Sequence, residues 1–313
     1  MRPTDRPRAQ RIDDALQAYS AQRRALPGIA TPARRGAFLE QLVESIRRIE
    51  YVTLICKRKV SVLRADPLSD LFDPLKAAIL QKQRANFDEG FWLVFLSVHC
   101  GRHGRDGWRL SRDIYAGAGP SATWDWMRTR LDPQGFREWL AAQTLTWNRH
   151  GVARHFGNHR KYQSLDAWTK TGTGAAVESY VKWVAPFQSH RGLLQDAQLR
   201  VGTEPRAVFD YLFHSMDAVI SFGRTAKFDY LTMLGKLGLA AIEPGSVYLN
   251  GATGPLSGAR LLFADDVHAK LRTSSMEQWL VELGDALVVG MQVLEDALCN
   301  WQKSPTSFKP FRG

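Results

Sequence analysis

Apolar side chains recur along this chain at three- and four-residue spacing, the period by which an α-helix gathers a buried face, and hardly at all in alternation. Phe38, Leu42, Ser45, Ile46 and Ile49 form one such stripe. Asp73-Pro74 and Asp132-Pro133 each place a capping carboxylate before a first-turn proline, which predicts helix starts there, the second helix running through about Ala142. Phe87 to His99 is apolar nearly all round and predicts a helix buried on every side. Further helices are predicted at 175–186, 205–220 and 225–237, with a short one around Ile12 to Arg24. The final stretch, 276–302, reads as one long helix. Its inner face is Trp279, Leu280, Leu283, Leu287, Met291, Leu294, Leu298 and Trp301. Residues 56–63 (CKRKVSVL) suit a short strand. The expected fold is mostly α: a loosely held Arg- and Pro-rich basic arm at 1–35, then one all-helical domain at 36–313 with lobes of roughly 36–145 and 146–313.

Composition narrows the class. With 313 residues and 44% apolar content, the chain can bury a sizeable core. Three widely spaced cysteines, Cys56, Cys100 and Cys299, fit a reducing cytoplasm and exclude both a disulfide framework and a four-cysteine iron–sulfur loop. The longest apolar stretch, Phe91 to Cys100, is about half of what a membrane span needs. The opening MRPTDRPRAQR lacks the hydrophobic core of a signal peptide. These features lead to an expectation of a cytoplasmic protein with no membrane partner. A net charge of +11 attracts polyanions, nucleic acid first, although ordinary solubility accounts for it equally well. Its placement says more: Trp147 to Lys161 (WNRHGVARHFGNHRK) holds four Arg/Lys, three His and no acid.

Residues 221–262 carry most of the candidate chemistry. The turn Phe222-Gly223-Arg224 opens onto the predicted helix at 225–237, whose first backbone N–H groups suit a DNA phosphate, with Thr225 and Lys227 beside them. Glu243 follows twenty positions after Gly223, stiffened by Pro244 and at a reach set by the helix. Such a carboxylate stabilises an oxocarbenium-like sugar and orients water; a solvated loop acid is the plain alternative. Asp229 and the pair Asp265-Asp266 are further acids. The stretch Gly251 to Arg260, with Gly254 and Gly258, reads as a glycine-rich turn letting a phosphate approach the backbone, Arg260 supplying counter-charge; a structural connection explains it as well. Arg154, His155, Asn158, His159, Arg160 and Lys161 form a phosphate-contacting loop or a solvated basic surface. Trp147, Phe156, Tyr162 and Trp168 are rings for stacking on an extruded base, or core. His99-Cys100-x-x-His103 has no second ligand pair at zinc spacing, so no metal site and no cofactor are assigned.

The segments FWLVFLSVHCGRHGRDGWRLSRDIY (91–115), HFGNHRKYQSL (155–165), SFGRTAKFDYLTMLGKLGLAAIEPGSVYLNGATGPLSGARLLF (221–263) and LEDALCNWQK (294–303) resemble the alpha-glutamyl/putrescinyl thymine pyrophosphorylase family, most closely its third clade. The resemblance implies a helix-hairpin-helix DNA-glycosylase-like fold of two helical lobes with a cleft between them, acting on bases in DNA. It implies a glycosylase that excises bulky hypermodified bases from phage DNA in defence. The same fold also admits a transferase that places an amino acid or polyamine on an activated hydroxymethyl-pyrimidine, and a basic binding protein without catalysis. Within that pattern Glu243 stands where Asp is commoner. Thr225, not Lys, stands two residues past Gly223, which argues against a Schiff-base lyase step.

Overall fold

Among the described residues (2–117, 119 and 122–310) of a computed structural model, fourteen α-helices occur and no strand. In chain order they are α1 (Arg6–Gln22), α2 (Pro32–Cys56), α3 (Pro74–Gln83), α4 (Phe87–Cys100) and α5 (Arg109–Ala116). Then come α6 (Trp126–Leu131), α7 (Pro133–Arg149), α8 (Thr173–Val184), α9 (His190–Val201) and α10 (Pro205–Ser215). The last four are α11 (Arg224–Leu237), α12 (Gly254–Ala264), α13 (Thr273–Leu287) and α14 (Met291–Trp301). No helix among the described residues is long and apolar enough to cross a membrane. The chain divides into two compact units, one built from residues up to 55 and from 244 onward, the other from 56–243. This partition differs from lobes meeting near residue 145, because contacts join the chain's two ends.

In the first unit, α1, α2 and α12–α14 share one core. Residues 1–35 are not a loose arm: Ile12, Leu16 and Tyr19 of α1 are buried, and Tyr19 donates to the Trp279 carbonyl at 3.2 Å. A buried stripe of four residues in seventeen, Ala9, Ile12, Leu16 and Tyr19, was enough to dock a helix whose other faces are largely polar. The predicted long C-terminal helix is broken. Val288 caps α13 in the left-handed region (φ 53°), and the helix restarts after Gly290. The apolar period bridges the break, since Leu287, Met291 and Leu294 are all buried. The glycine-rich stretch after 251 is also not a loop, because α12 begins at Gly254. Its glycines let backbones touch. A Cβ at Gly258 would lie 2.4 Å from the Leu298 carbonyl oxygen of α14, and one at Gly28 would lie 2.0 Å from the Leu261 carbonyl oxygen.

The second unit is organised around α4, which packs against α3, α5, α6, α9 and α11. From Glu89 to Cys100 every residue of α4 is buried, as its unbroken apolar run predicts. Asp73 and Asp132 cap α3 and α7 as expected, accepting from Leu75 and Lys76 N–H and from Gly135 N–H respectively. The strand expected at 56–63 is absent. Helix α2 runs on to Cys56 and Val62–Arg64 is a 3-10 turn, an alternation too short to hold a strand that has no partner.

Glu89, near the start of α4, accepts from Trp126 N–H at 2.8 Å inside this core. Burial, offset only partly by that hydrogen bond, raises its pKa to about 7. A folded-state pKa above the unfolded value gives stability that is complete below about pH 4.5 and lost as pH rises through about 7. Urea unfolding should therefore show a less stable protein at pH 8 than at pH 5. Glu89→Gln, which keeps the acceptor, should flatten that difference, on the order of 3 kcal/mol. In the other unit, Gly258→Ala should lower stability by about 1–3 kcal/mol through overpacking. By contrast, Gly36→Ala, a helical site with nothing within 4 Å of the new Cβ, should raise the thermal midpoint.

Candidate nucleic-acid interface

Helix α10 passes through a 3-10 turn (Met216–Ala218) into a tight corner, and Gly223 then starts α11. The corner is held, not merely connected. Ser221 sits at φ 64°, a costly region for a residue with a Cβ. Its hydroxyl donates to the Thr171 carbonyl at 2.7 Å, and its carbonyl accepts from the Gln163 amide at 3.2 Å. Ile220 N–H donates to the Ser179 hydroxyl at 2.9 Å. Gly223 itself is exposed, no side chain caps it, and space around it is open. The first N–H groups of α11 therefore lie at an accessible helix start.

The basic segment is fastened to the end of α4 and to α11. Gly157 N–H donates to the Cys100 carbonyl at 2.8 Å, and Arg160 Nε donates to the Val98 carbonyl at 2.7 Å. The buried Arg160 guanidinium also meets Asp229 Oδ2 of α11 at 2.7 Å, while the Asp229 side chain is 48% exposed. A carboxylate thus stands at the surface with a fixed cation behind it. Asn158, His159, Lys161 and Tyr162 point outward around this junction. Arg154 is turned inward instead, 2.6 Å from Asp113 and over the Trp147 ring at 4.9 Å. Beneath the segment lies His99. Its Nε2 donates to the Thr173 hydroxyl at 3.0 Å, since that hydroxyl donates to the Ser164 carbonyl at 2.7 Å. Burial first, then the Arg160 cation, lowers the His99 pKa to about 3, so the ring is neutral.

The remaining predicted residues divide. Arg224 lies over Phe228 at 4.8 Å and Thr225 is exposed, both beside Gly223. Phe222 is core, stacked on Phe95 at 4.8 Å. Lys227 is also inward: it is buried, paired with Asp217, and 4.2 Å from the Phe213 ring centroid. Three, four and seven residues further along α11 lie the buried Tyr230, Leu231 and Leu234, so position 227 falls on the packed face of the helix. Trp147 is buried under Arg154, and Phe156 is half-buried with its ring edge-on to His99. Glu243 is 59% exposed and paired with Arg206 Nε at 3.1 Å. Gly254, Gly258 and Arg260 belong to α12 in the other unit, where both glycines abut α14. Asp265 pairs there with Arg34.

Two clefts in the second unit escaped the sequence reading. One, of about 540 Å³, borders the corner through Ala218 and Ile220 and carries Trp168, Lys170, Lys182 and Arg137. Trp168 is half exposed, with the Arg137 guanidinium 5.1 Å from its ring centroid. The other, of about 620 Å³, is lined by Arg64, Lys76, Arg102, Arg109 and Arg112 against Asp70, Asp73 and Asp106. Asp106 Oδ2 also lies 2.7 Å from His155 Nδ1 and 3.1 Å from His103 Nδ1. The available signals were short and scattered: a His-x-x-Asp in one turn and a histidine fifty positions away.

A polar chain closes the centre of the unit. Asp88 Oδ1 accepts from His190 Nδ1 at 2.6 Å, and Tyr180 stands 2.6 Å from His190 Nε2 and 2.8 Å from the Tyr230 hydroxyl. Burial outweighs Asp88 in lowering the His190 pKa, and burial raises both tyrosines. The neutral ring then donates to Asp88 and accepts from Tyr180, which fixes the direction of every hydrogen bond in the chain.

Residues 33–313 match the family described as alpha-glutamyl/putrescinyl thymine pyrophosphorylase clade 3. No curated protein and no solved structure matches the chain.

Proposed function

Because the chain belongs to the alpha-glutamyl/putrescinyl thymine pyrophosphorylase clade 3 family, we propose that it is an enzyme acting on hypermodified bases in DNA. The family name describes a pyrophosphorylase of modified thymine, which supports an enzyme related to thymine hypermodification. Our finer reading is a monofunctional DNA glycosylase that removes bulky modified bases, in defence against phages whose DNA carries them.

The observation that carries this reading is the Asp229–Arg160 pair at the junction of α11 and the basic segment. The corner at Gly223 and the exposed Asn158, His159 and Lys161 would hold the phosphate backbone, with Arg224 and Thr225 beside them. The target nucleotide would be flipped out at a cost of a few kcal/mol, with the exposed rings Tyr162 and Trp168 available for stacking. Asp229 would face the sugar as the C1′–N bond breaks and the base departs with the bonding electrons. The carboxylate stabilises the positive charge on the sugar and takes a proton from the water that attacks C1′. Arg160 keeps Asp229 aimed through its 2.7 Å hydrogen bond. Glu243, at the spacing first favoured, is paired with Arg206 on α10, whereas Asp229 is joined to the basic segment through Arg160, so Asp229 takes the catalytic role in this scheme.

The family name favours a second reading, a transferase that leaves the sugar–base bond intact and adds an amine or amino acid to the activated base. Product analysis separates the two. Purified protein incubated with hypermodified phage DNA should release free base and leave abasic sites, and plain DNA should remain unchanged. Asp229→Asn should reduce turnover about 100-fold or more while DNA binding is retained. Glu243→Gln should stay within a few-fold of the parent. A gain of mass on digested nucleosides without abasic sites would replace the glycosylase with the transferase. Salt-dependent binding with no chemical change on any modified DNA would defeat both.

A further inference from the structure

Outside the Asp229 junction, one cluster has the chemistry of a ligand site. His103, Asp106 and His155 bring one donor atom each to within 4.8 Å of one another. We infer that these three side chains bind a divalent transition-metal ion of the zinc class at the rim of the basic cleft. This inference does not depend on the proposed base chemistry.

The loop that carries two of the donors is closed on itself. His103 N–H donates to the Gly107 carbonyl, and Gly107 N–H donates to the His103 carbonyl, both at 3.0 Å. That pairing folds Asp106 back onto His103. The third donor is held by its neighbours on either side, because Arg154 is anchored on Asp113 and Gly157 is pressed against the backbone of 101–102. A Cβ at Gly157 would lie 2.8 Å from the Arg102 carbonyl oxygen, so only glycine allows this approach. His155 is therefore set opposite the loop before any ion arrives, and such preorganisation lowers the cost of binding.

The electron pairs are also arranged for a cation. Asp106 N–H donates to His103 Nδ1 at 3.3 Å, so that nitrogen carries a lone pair. It stands 3.1 Å from the Asp106 carboxylate, two electron-rich atoms facing each other. Ligands about 2.0–2.2 Å from one tetrahedral ion are separated by roughly 3.3 Å. Here Asp106 Oδ2 lies 3.1 Å from His103 Nδ1 and 2.7 Å from His155 Nδ1, so small side-chain rotations bring the three donors to that spacing. Two imidazoles with one carboxylate select zinc-class ions over magnesium or calcium, which prefer oxygen alone. Three protein ligands leave a position open, and Asp106 also lines the cleft with Arg102, Arg109 and Arg112. Water or an anionic oxygen from that cleft completes the shell.

Calorimetric titration of the full chain with zinc chloride, and a parallel titration with cobalt(II) followed by its visible absorption, test this directly. The expected result is one ion per chain, a tetrahedral cobalt spectrum, and magnesium binding at least about tenfold weaker. Asp106→Asn and His155→Gln, each confirmed as folded by circular dichroism, should both weaken zinc binding about tenfold or more. His268→Gln, in the other unit, should leave it unchanged. Absence of stoichiometric zinc binding overturns the inference. So does unaltered affinity in the two folded variants, or magnesium binding as tightly as zinc.

Discussion

Burial of α4 on all sides is the constraint from which the rest of the second unit follows. A helix with no solvent face must satisfy every polar group it carries from neighbouring elements. Asp88 is answered by His190, Glu89 by the start of α6, and His99 by Thr173 at the start of α8. Its last carbonyls are answered by Gly157 and Arg160. Burial raises the Asp88 pKa, but the hydrogen bonds from His190 outweigh it and hold the carboxyl below its usual range. Cys100, at the end of the helix, has its pKa pushed up to about 12 by burial and stays a thiol. Asp88, Glu89 and His99 thereby each recruit a particular neighbour, and the end of α4 recruits the basic segment of the candidate interface.

The basic segment has a double role for the same reason. Arg160 lies at the C-terminal end of α4, where carbonyls without helical partners favour a cation. From that anchored position it reaches Asp229 on α11. The same stretch sets His155 against the loop at 103–107. One segment, tied to the end of one buried helix, thus positions both a surface carboxylate and a donor cluster. Its exposed residues Asn158, His159 and Lys161 face outward.

Much of the fold was legible because hydrophobic period and capping chemistry are local. Asp-Pro starts located α3 and α7, and the continuous apolar run located α4. Failures came where a local pattern is ambiguous. The stripe from Leu280 to Trp301 keeps its period across Val288-Val289-Gly290, so periodicity alone could not reveal the break. Gly254 and Gly258 resemble loop glycines until a neighbouring helix is seen to need their missing side chains. For the candidate site, spacing and charge pointed to Gly223, Arg224 and the segment 154–161. Whether a given cation faces outward was not, because Lys227 and Arg160 turn inward through contacts with Asp217, Val98 and Asp229, dozens of positions away in two of these cases. The cluster at 103, 106 and 155 depends on a long-range closure that one-dimensional spacing does not encode.

The first unit draws its core from both extremities of the chain, Leu16 and Leu42 packing in one cluster with Leu262, Leu280 and Trp301. During translation the stretch from 56 to 243 leaves the ribosome with all its own packing partners already made. Helices α1 and α2 emerge before their partners and must wait, with apolar faces uncovered, until the last seventy or so residues arrive. That order makes the nascent N-terminal helices the part most in need of a chaperone. It also means that a ribosome stalled before α12 would release the middle unit with its own contacts complete, attached to two helices that lack their C-terminal partners.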